Sequence, residues 1–206
     1  MTSPATSESL RDRTRRAVQQ ELTGAAITLF AARGFDAVTV DEIAEAAGMS
    51  RRSFFRYFAS KDEVVLAKVA RQGEQFVAAL AERPDDEPAW TALRRMFDGA
   101  VALGDDPSQG HHASEWDKII GSSDALRAGY LQRMQRAQDL VVEELDRREQ
   151  RRGNPSWEPL TSAALVATAF AALLTAHAHA QSHGASLGRC LDAAMHAIAL
   201  ETQATL

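Results

Sequence analysis

At 206 residues and 45% hydrophobic content, the chain is long enough for a small domain and a larger one, each with its own core. Its one cysteine, Cys190, excludes an intramolecular disulfide and favours a reducing compartment, which we expect to be the cytoplasm. The net charge of −5 does not exclude nucleic-acid binding. Residues 1–62 contain nine Lys and Arg and eight Asp and Glu, whereas the rest of the chain contains fourteen Lys and Arg and twenty Asp and Glu. The acidic excess therefore belongs to the C-terminal part.

The N-terminal segment is polar and rich in arginine. It lacks the apolar core of a secretory signal, so we expect no export of the chain. We predict that residues 1–14 form a flexible basic arm. Two interpretations of the basic residues are open, a solvated helix start and an arm that contacts DNA phosphates or the minor groove. The arginines concerned are Arg11, Arg13, Arg15 and Arg16.

Two amphipathic helices are predicted next, and each ends at a glycine. The first precedes Gly34, and its apolar stripe consists of Leu22, Ala26, Leu29 and Phe30. The second begins at Thr39, because Thr39 and Glu42 have the spacing of a capping box, and it ends at Gly48. Its apolar residues recur at the spacing of one buried helical face: Val40, Ile43, Ala44 and Ala47.

The third helix carries the most informative residues of the chain. We expect Ser50 to cap it, and Phe54 and Phe58 lie four residues apart, which predicts that both face the core. The remaining side chains are basic, aromatic or hydroxyl-bearing, and such a short helix suits the major groove of duplex DNA. A helix, a glycine turn and a basic helix together predict a helix-turn-helix motif.

Residues 21–65 resemble the N-terminal domain of the TetR family of bacterial transcriptional regulators. The resemblance rests on the segment AAITLFAARGFDAVTVDEIAEAAGMSRRSFFRYFASKDEV, which has the order and spacing of the family. It implies an all-α fold, with a helix-turn-helix DNA-binding domain over residues 15–62 and a helical effector-binding and dimerisation domain over residues 63–206.

The resemblance also implies which residues contact DNA. Phe55 stands where the family usually has tyrosine, so we expect Tyr57 to supply a hydrogen bond to phosphate instead. Lys61 begins the next helix, where the helix dipole and a cation together suit a phosphate. The DNA-binding candidates are Thr39, Ser50, Arg51, Arg52, Ser53, Phe55, Arg56, Tyr57 and Lys61.

The remaining two thirds of the chain predict further helices, of which one is unusual. The segment from Leu160 to Ala180 contains no Asp, Glu, Lys or Arg, and its length would suit a membrane span. Its alanine-rich composition without an aromatic belt favours a buried helix in a dimer interface. We therefore predict that this segment and residues 187–203 form a four-helix seam between two copies of the chain.

Apolar residues of the C-terminal helices are candidates to line an effector cavity, although most residues of this kind form ordinary core. The histidines of residues 177–183 lack the extra carboxylate or thiol of a zinc site, so we predict no metal. No phosphate loop, dinucleotide motif or nucleophile elbow is present, so we expect neither a cofactor nor an enzyme. The effector-binding candidates are Phe97, Trp116, Met134, Phe170 and Leu174.

We predict a ligand-responsive dimeric repressor that binds a palindromic operator through Arg51–Phe58 and is released by a small-molecule effector. Its partners are then double-stranded DNA, the effector and a second copy of the chain, but no membrane. An activator or dual regulator with the same fold is one alternative. A helical interaction or membrane-associated protein, whose basic helix binds acidic partners, is another. Specific, salt-dependent binding to duplex DNA separates the regulators from this last class.

Overall fold

The computed structural model describes residues 10–106, 116, 118–154 and 157–204, and the regular secondary structure in these ranges is helical throughout. The predicted all-α class is therefore confirmed. A short helical stretch also covers residues 118–121. The longer helices, in chain order, are α1 (Leu10–Arg33), α2 (Val40–Ala46), α3 (Arg51–Phe54), α4 (Lys61–Ala81), α5 (Ala89–Met96), α6 (Asp98–Asp105), α7 (Asp124–Arg152), α8 (Pro159–His183) and α9 (Leu187–Ala204).

The chain divides into two compact units. The first comprises Met1–Lys68 with Trp116–Arg127, and the second comprises Val69–Glu115 with Ala128–Leu206. The sequence prediction placed the boundary after residue 62 and assigned the rest of the chain to one domain. In the structure, the stretch that carries the buried side chains of Ile119, Ile120 and Leu126 belongs to the first unit.

α1 begins earlier than the sequence prediction implied. Its first residue is Leu10, so the last part of the predicted flexible arm over residues 1–14 is helical. The hydroxyl group of Thr14 donates to the carbonyl of Leu10 at 2.9 Å, which is one turn of this helix. Arg11, Arg13, Arg15 and Arg16 therefore lie on α1, which supports the helix-start interpretation for them. Residues 1–9 lie outside the described residues.

The core of the first unit is built from one apolar face of each helix, as the periodicity predicted. The rings of Phe30 and Phe35 lie 4.9 Å apart, and those of Phe54 and Phe58 lie 5.9 Å apart. Leu29 and Ala47 are only half-buried, so they line the edge of this core. Its fully buried residues include Leu22, Ala26, Phe30, Ile43, Ala44, Phe54, Phe58, Val64 and Val65.

The core of the second unit centres on three buried phenylalanines. The rings of Phe76 and Phe97 lie 5.1 Å apart, those of Phe97 and Phe170 lie 5.4 Å apart, and those of Phe76 and Phe170 lie 5.7 Å apart. All three pairs meet edge to face, which aromatic rings prefer. Gly73 lets α4 approach α7 closely, because a Cβ atom at this position would lie 2.7 Å from the Cβ of Ala137.

A buried arginine of α7 holds the connection between α4 and α5. Arg148 is 0% exposed, and its guanidinium donates to the carbonyl of Arg83 at 3.1 Å and to the carbonyl of Glu87. Its Nε atom is buried without a hydrogen-bond partner. Arg152 donates to the same Glu87 carbonyl at 2.7 Å, and the carboxylate of Glu87 pairs with Arg83 at 2.7 Å. α7 therefore supplies donors to the backbone carbonyl groups of the connection between α4 and α5.

Candidate DNA-binding face and ligand cleft

The start of α2 is fixed by a complete capping box. The hydroxyl oxygen of Thr39 accepts from the backbone N–H of Glu42 at 3.3 Å, and the Glu42 carboxylate accepts from the backbone N–H of Thr39 at 2.8 Å. Arg33 pairs with the same carboxylate at 2.7 Å. The hydrogen bond from the Thr39 backbone, and then that from Arg33, lower the pKa of Glu42 from 4.5 to about 2. The predicted capping box is confirmed, and the Thr39 hydroxyl serves it while remaining exposed.

The turn between α2 and α3 has the geometry of a helix-turn-helix. Gly48 has a φ angle of 65°, in the left-handed region that favours glycine. The backbone N–H of Met49 donates to the carbonyl of Ala44 at 2.8 Å, which closes the end of α2. The Ser50 hydroxyl oxygen then accepts from the backbone N–H of Ser53 at 3.1 Å, so Ser50 caps α3 as predicted.

α3 presents its basic residues outward. Phe54 at the end of α3 and Phe58 after the turn that follows are buried, and this holds one side of the segment against the core of the first unit. Ser53 and Tyr57 are half-buried at the edge of the face that points away from the core. The exposed side chains on this face belong to Arg51, Arg52, Phe55 and Arg56. These four residues with Ser53 and Tyr57 are called the α3 face below.

The cations of the α3 face are not equally available. Arg51 pairs with Asp41 of α2 at 2.8 Å, and its Cζ atom lies 5.6 Å from the ring centroid of Phe55. The guanidinium of Arg56 donates to the Tyr57 hydroxyl at 3.1 Å and lies over the Tyr57 ring. Arg52 makes no hydrogen bond or ion pair with any residue that the structure describes. Arg52 is therefore the cation that can meet a ligand without first leaving a partner.

We expected Lys61 to bind a DNA phosphate, and in the structure its ammonium group donates to backbone carbonyl groups. Its Nζ atom donates to the carbonyl groups of Phe35 at 2.9 Å, Val38 at 3.2 Å and Asp36 at 3.4 Å. It also lies 4.4 Å from the centroid of the Phe35 ring. An ammonium group has three donors, and three carbonyl oxygens of the turn between α1 and α2 accept them here. A phosphate at this position would have to compete with those carbonyl groups.

The predicted effector residues do not converge. Phe97 and Phe170 contact each other in the solid aromatic core of the second unit, and Met134 packs half-buried against this core. Leu174 is 47% exposed, so it lies at the edge of the core that buries Phe170 and Leu173 of the same helix. Trp116 belongs to the first unit, where the ammonium of Lys68 lies 4.4 Å from its ring.

The second unit instead has an open cleft between α5 and α9 with a volume of about 340 Å³. The indole N–H of Trp90 donates to the backbone carbonyl of Met195 at 3.3 Å across the two helices. Sequence reasoning did not find this site, because its two walls lie about a hundred residues apart. The only local signal is a polar stripe at helical spacing on each helix. The lining residues are Trp90, Thr91, Arg94, Arg95, Asp192, Met195, His196 and Ala199.

α8 buries one face in the second unit and exposes another that carries no charge. Ala172 is only 3% exposed and faces the core of its own chain, so it does not lie on the outward side of the helix. Among the described helices, α8 is the one whose length and composition would suit a membrane span. The outward stripe, called the α8 stripe below, consists of Leu160, Ala164, Ala167, Ala171, Leu174 and Ala178.

The histidines of α8 pair with neighbours on the same helix. The rings of His179 and His183 stack with centroids 4.1 Å apart, and Nδ1 of His183 lies 2.9 Å from the His179 carbonyl oxygen. Nε2 of His177 lies 3.0 Å from the side-chain nitrogen of Gln181. Within the described ranges, no three His, Cys, Asp or Glu residues cluster as metal ligands would.

Known proteins are similar to this chain in both sequence and fold. Residues 22–67 match the family model for bacterial regulatory proteins of the tetR family. The HTH-type transcriptional regulator TcmR of Streptomyces glaucescens is 33% identical over 144 residues, which cover 70% of this chain and 59% of TcmR. The putative mycofactocin biosynthesis transcriptional regulator MftR of Mycobacterium tuberculosis is 49% identical over 57 residues, 28% of this chain and 29% of MftR. The chain thus spans less than two thirds of either relative.

Solved structures extend the likeness to both units. SmeT, the repressor of the Stenotrophomonas maltophilia multidrug efflux pump SmeDEF, has a TM-score of 0.59 at 19% identity, with 88% of each chain covered. Thermus thermophilus FadR, a TetR-family transcriptional repressor in complex with lauroyl-CoA, has a TM-score of 0.54 at 21% identity, covering 86% of this chain and 91% of FadR. At these identities the similarity shows a common fold.

Proposed function

This chain belongs to the TetR family of bacterial regulatory proteins, and on that premise we propose that it is a ligand-responsive transcriptional repressor that binds duplex DNA as a homodimer. The observation that carries the proposal is the α3 face. It combines free and tethered arginines with hydroxyl and aromatic groups on a short helix whose opposite side is anchored by Phe54 and Phe58. The proposed site of action is the cytoplasm, and no enzymatic reaction is proposed.

In this proposal α3 lies in the major groove of DNA. Arg51 and Arg52 stand at the start of the helix, where side chains reach base edges, and arginine donates bidentately to guanine. Asp41 holds the Arg51 guanidinium at 2.8 Å and so limits the directions from which Arg51 approaches a base. The Tyr57 hydroxyl accepts from Arg56 and retains its own proton, which it can donate to a phosphate oxygen.

A second copy of the chain would bind through the α8 stripe. The stripe is uncharged, and its alanines would let two helices approach closely, with the exposed Leu160 and Leu174 covered by the partner. A two-fold axis would place two α3 faces on successive turns of the major groove, and a palindromic operator would match that symmetry. Membrane insertion is the competing use of an uncharged helix. The alanine-rich composition of α8, without an aromatic belt, favours the dimer.

The ligand response is proposed to act through α4, because this helix begins in the DNA-binding unit and ends in the second unit. An effector bound to the second unit would favour a dimer in which the two α3 faces are spaced wrongly for DNA. Similar folds bind small molecules, since SmeT has been solved with triclosan and FadR with lauroyl-CoA. An activator or dual regulator would use the same contacts and would differ only in where its operator lies relative to the promoter.

Selection of binding sites from random duplex DNA, followed by sequencing, tests this function directly. We expect an enriched palindrome whose half-site centres lie about 10 base pairs, or a multiple of that, apart. A double variant of the α3 face, Arg51→Ala with Arg52→Ala, should enrich no palindrome. Arg136→Ala is the matched control, because Arg136 is an exposed arginine of α7 in the second unit. Enrichment of no motif by the wild type would contradict the proposal.

A further inference from the structure

We propose that the cleft between α5 and α9 binds a small amphipathic carboxylic acid, with an aromatic or short acyl body against Trp90 and Met195 and its carboxylate at Arg95. This inference names a ligand class and a site within the second unit, and it rests on the proposed function only for the effect of the ligand on DNA binding. The volume of about 340 Å³ lies near the lower end of the range for small-molecule sites.

The aromatic core of the second unit, which contains two of the predicted effector residues, leaves little space for a ligand. Phe76, Phe97 and Phe170 contact one another at ordinary ring distances and are buried. A ligand among them would have to displace side chains that now fill the space. The cleft between α5 and α9 is already open, so a ligand there displaces only water.

The apolar part of the cleft is held in place before any ligand arrives. The hydrogen bond from the Trp90 indole to the Met195 carbonyl ties the α5 side of the cleft to α9. This bond uses the one polar group of the indole, so the rest of its ring surface is free for apolar contact. Met195 is buried beside it, and a thioether adapts to aromatic and aliphatic partners alike.

The charges of the cleft favour an anion. Arg94 is committed, because its guanidinium pairs with Asp192 at 2.5 Å and with Asp98 at 2.8 Å, and its side chain is only 18% exposed. Asp192, the carboxylate among the lining residues, is therefore already neutralised. Arg95 is 58% exposed, and the carboxylate nearest to it is that of Asp98, at 3.7 Å, which already accepts from Arg94.

Two further polar groups can orient a carboxylate at Arg95. The hydroxyl of Thr91 lies one helical turn before Arg95 on the same wall, and the exposed His196 lies on the opposite wall. Each can donate a hydrogen bond to a carboxylate oxygen. The cleft thus has an apolar floor and an arginine with spare donors at its rim, which is the pattern that fits an amphipathic acid.

The test compares naphthoate with the neutral naphthamide, which has a similar shape, by calorimetric titration of the full chain without DNA. We expect one naphthoate per chain and a preference for naphthoate over naphthamide of about tenfold or more, the value of one charge-assisted hydrogen bond. Arg95→Gln should abolish that preference, and Arg136→Gln, an exposed arginine elsewhere in the unit, should preserve it.

Equal binding of naphthoate and naphthamide, no binding of either at millimolar concentration, or an unchanged preference in Arg95→Gln would overturn the proposal. A second variant, Trp90→Leu, should weaken both compounds while leaving the circular dichroism spectrum unchanged. Release of DNA is measured separately by fluorescence anisotropy. The ligand site and the DNA-binding function can therefore fail independently, because the calorimetric titration contains no DNA and the binding of DNA by the chain is first measured without ligand.

Discussion

Replacing Lys61 with methionine tests what the ammonium group of this residue does. The change preserves the aliphatic part of the side chain and leaves the carbonyl oxygens of Phe35, Asp36 and Val38 without their donor. An acceptor that loses its partner in a buried setting costs about 1–3 kcal/mol, and a lost cation–π contact costs about 0.5–1 kcal/mol. Lys61 is half-buried, so water replaces part of the loss. We expect a net decrease of about 2 kcal/mol in the free energy of unfolding.

Two measurements separate this role from a phosphate contact. Guanidinium denaturation at fixed protein concentration gives the stability, and anisotropy titrations of operator DNA over a salt series give the salt slope. We expect Lys61→Met to lose stability while its salt slope stays that of the wild type. Lys118→Met is the control, since Lys118 is an exposed lysine of the same unit. Unchanged stability with a salt slope lower by about one would refute the reasoning and would favour the phosphate role instead.

Three further perturbations test other parts of the structure. Arg148→Met should lower the free energy of unfolding by about 2–4 kcal/mol, because the half-buried carbonyl of Arg83 loses its donor. A change within about 0.5 kcal/mol in chemical denaturation would show that the contacts of Arg148 do not stabilise the fold. Glu42→Gln should lower the melting temperature at neutral pH. Because the folded pKa of Glu42 is depressed to about 2, this difference should be present above pH 4.5 and should disappear as the pH falls to about 2; a difference independent of pH would count against the Arg33 and Thr39 contacts. Ala171→Arg, on the α8 stripe, should give monomers in analytical ultracentrifugation, while Ala128→Arg, an exposed position of α7, should sediment as the wild type. A dimeric Ala171→Arg variant would exclude the α8 stripe as the interface.

The local signals in the sequence were sufficient for the helix-turn-helix. Thr39 with Glu42 and Ser50 with Ser53 are contacts over three residues, and Gly48 acts through its own backbone angle. Such features need no knowledge of the tertiary fold, so the helix starts and the inward faces of α2 and α3 could be predicted. The stripe of Leu22, Ala26 and Phe30 was predictable for the same reason.

Contacts that span the chain could not be predicted in this way. The ammonium of Lys61 meets carbonyl groups 23 to 26 residues earlier, and Arg148 meets carbonyl groups 61 and 65 residues earlier. A lysine or arginine on a helix has the same sequence signature whether it faces solvent, DNA or a backbone carbonyl. Only the packing of the helices decides between these roles.

Two features of the C-terminal helices could not be predicted for a different reason. The α8 sequence is uncharged on every side, so no periodicity distinguishes the inward Ala172 from the outward Ala171. Phe97 and Phe170 had the composition of a cavity wall, but they fill the space that a cavity would need. Aromatic residues on helices predict a core with more certainty than they predict an opening in it.

The most direct test of the central claim measures sequence-specific DNA binding by the α3 face. Labelled duplexes with palindromes from the region upstream of the chain's own coding sequence are titrated with protein, beside scrambled duplexes, and anisotropy is recorded over a salt series. We predict that the palindrome binds about a thousandfold or more tighter than its scrambled version. Arg52→Ala should weaken the palindrome by about 1–3 kcal/mol and relax the base preference. Equal affinity for both duplexes in the wild type, or an Arg52→Ala variant with unchanged affinity and preference, would contradict the account.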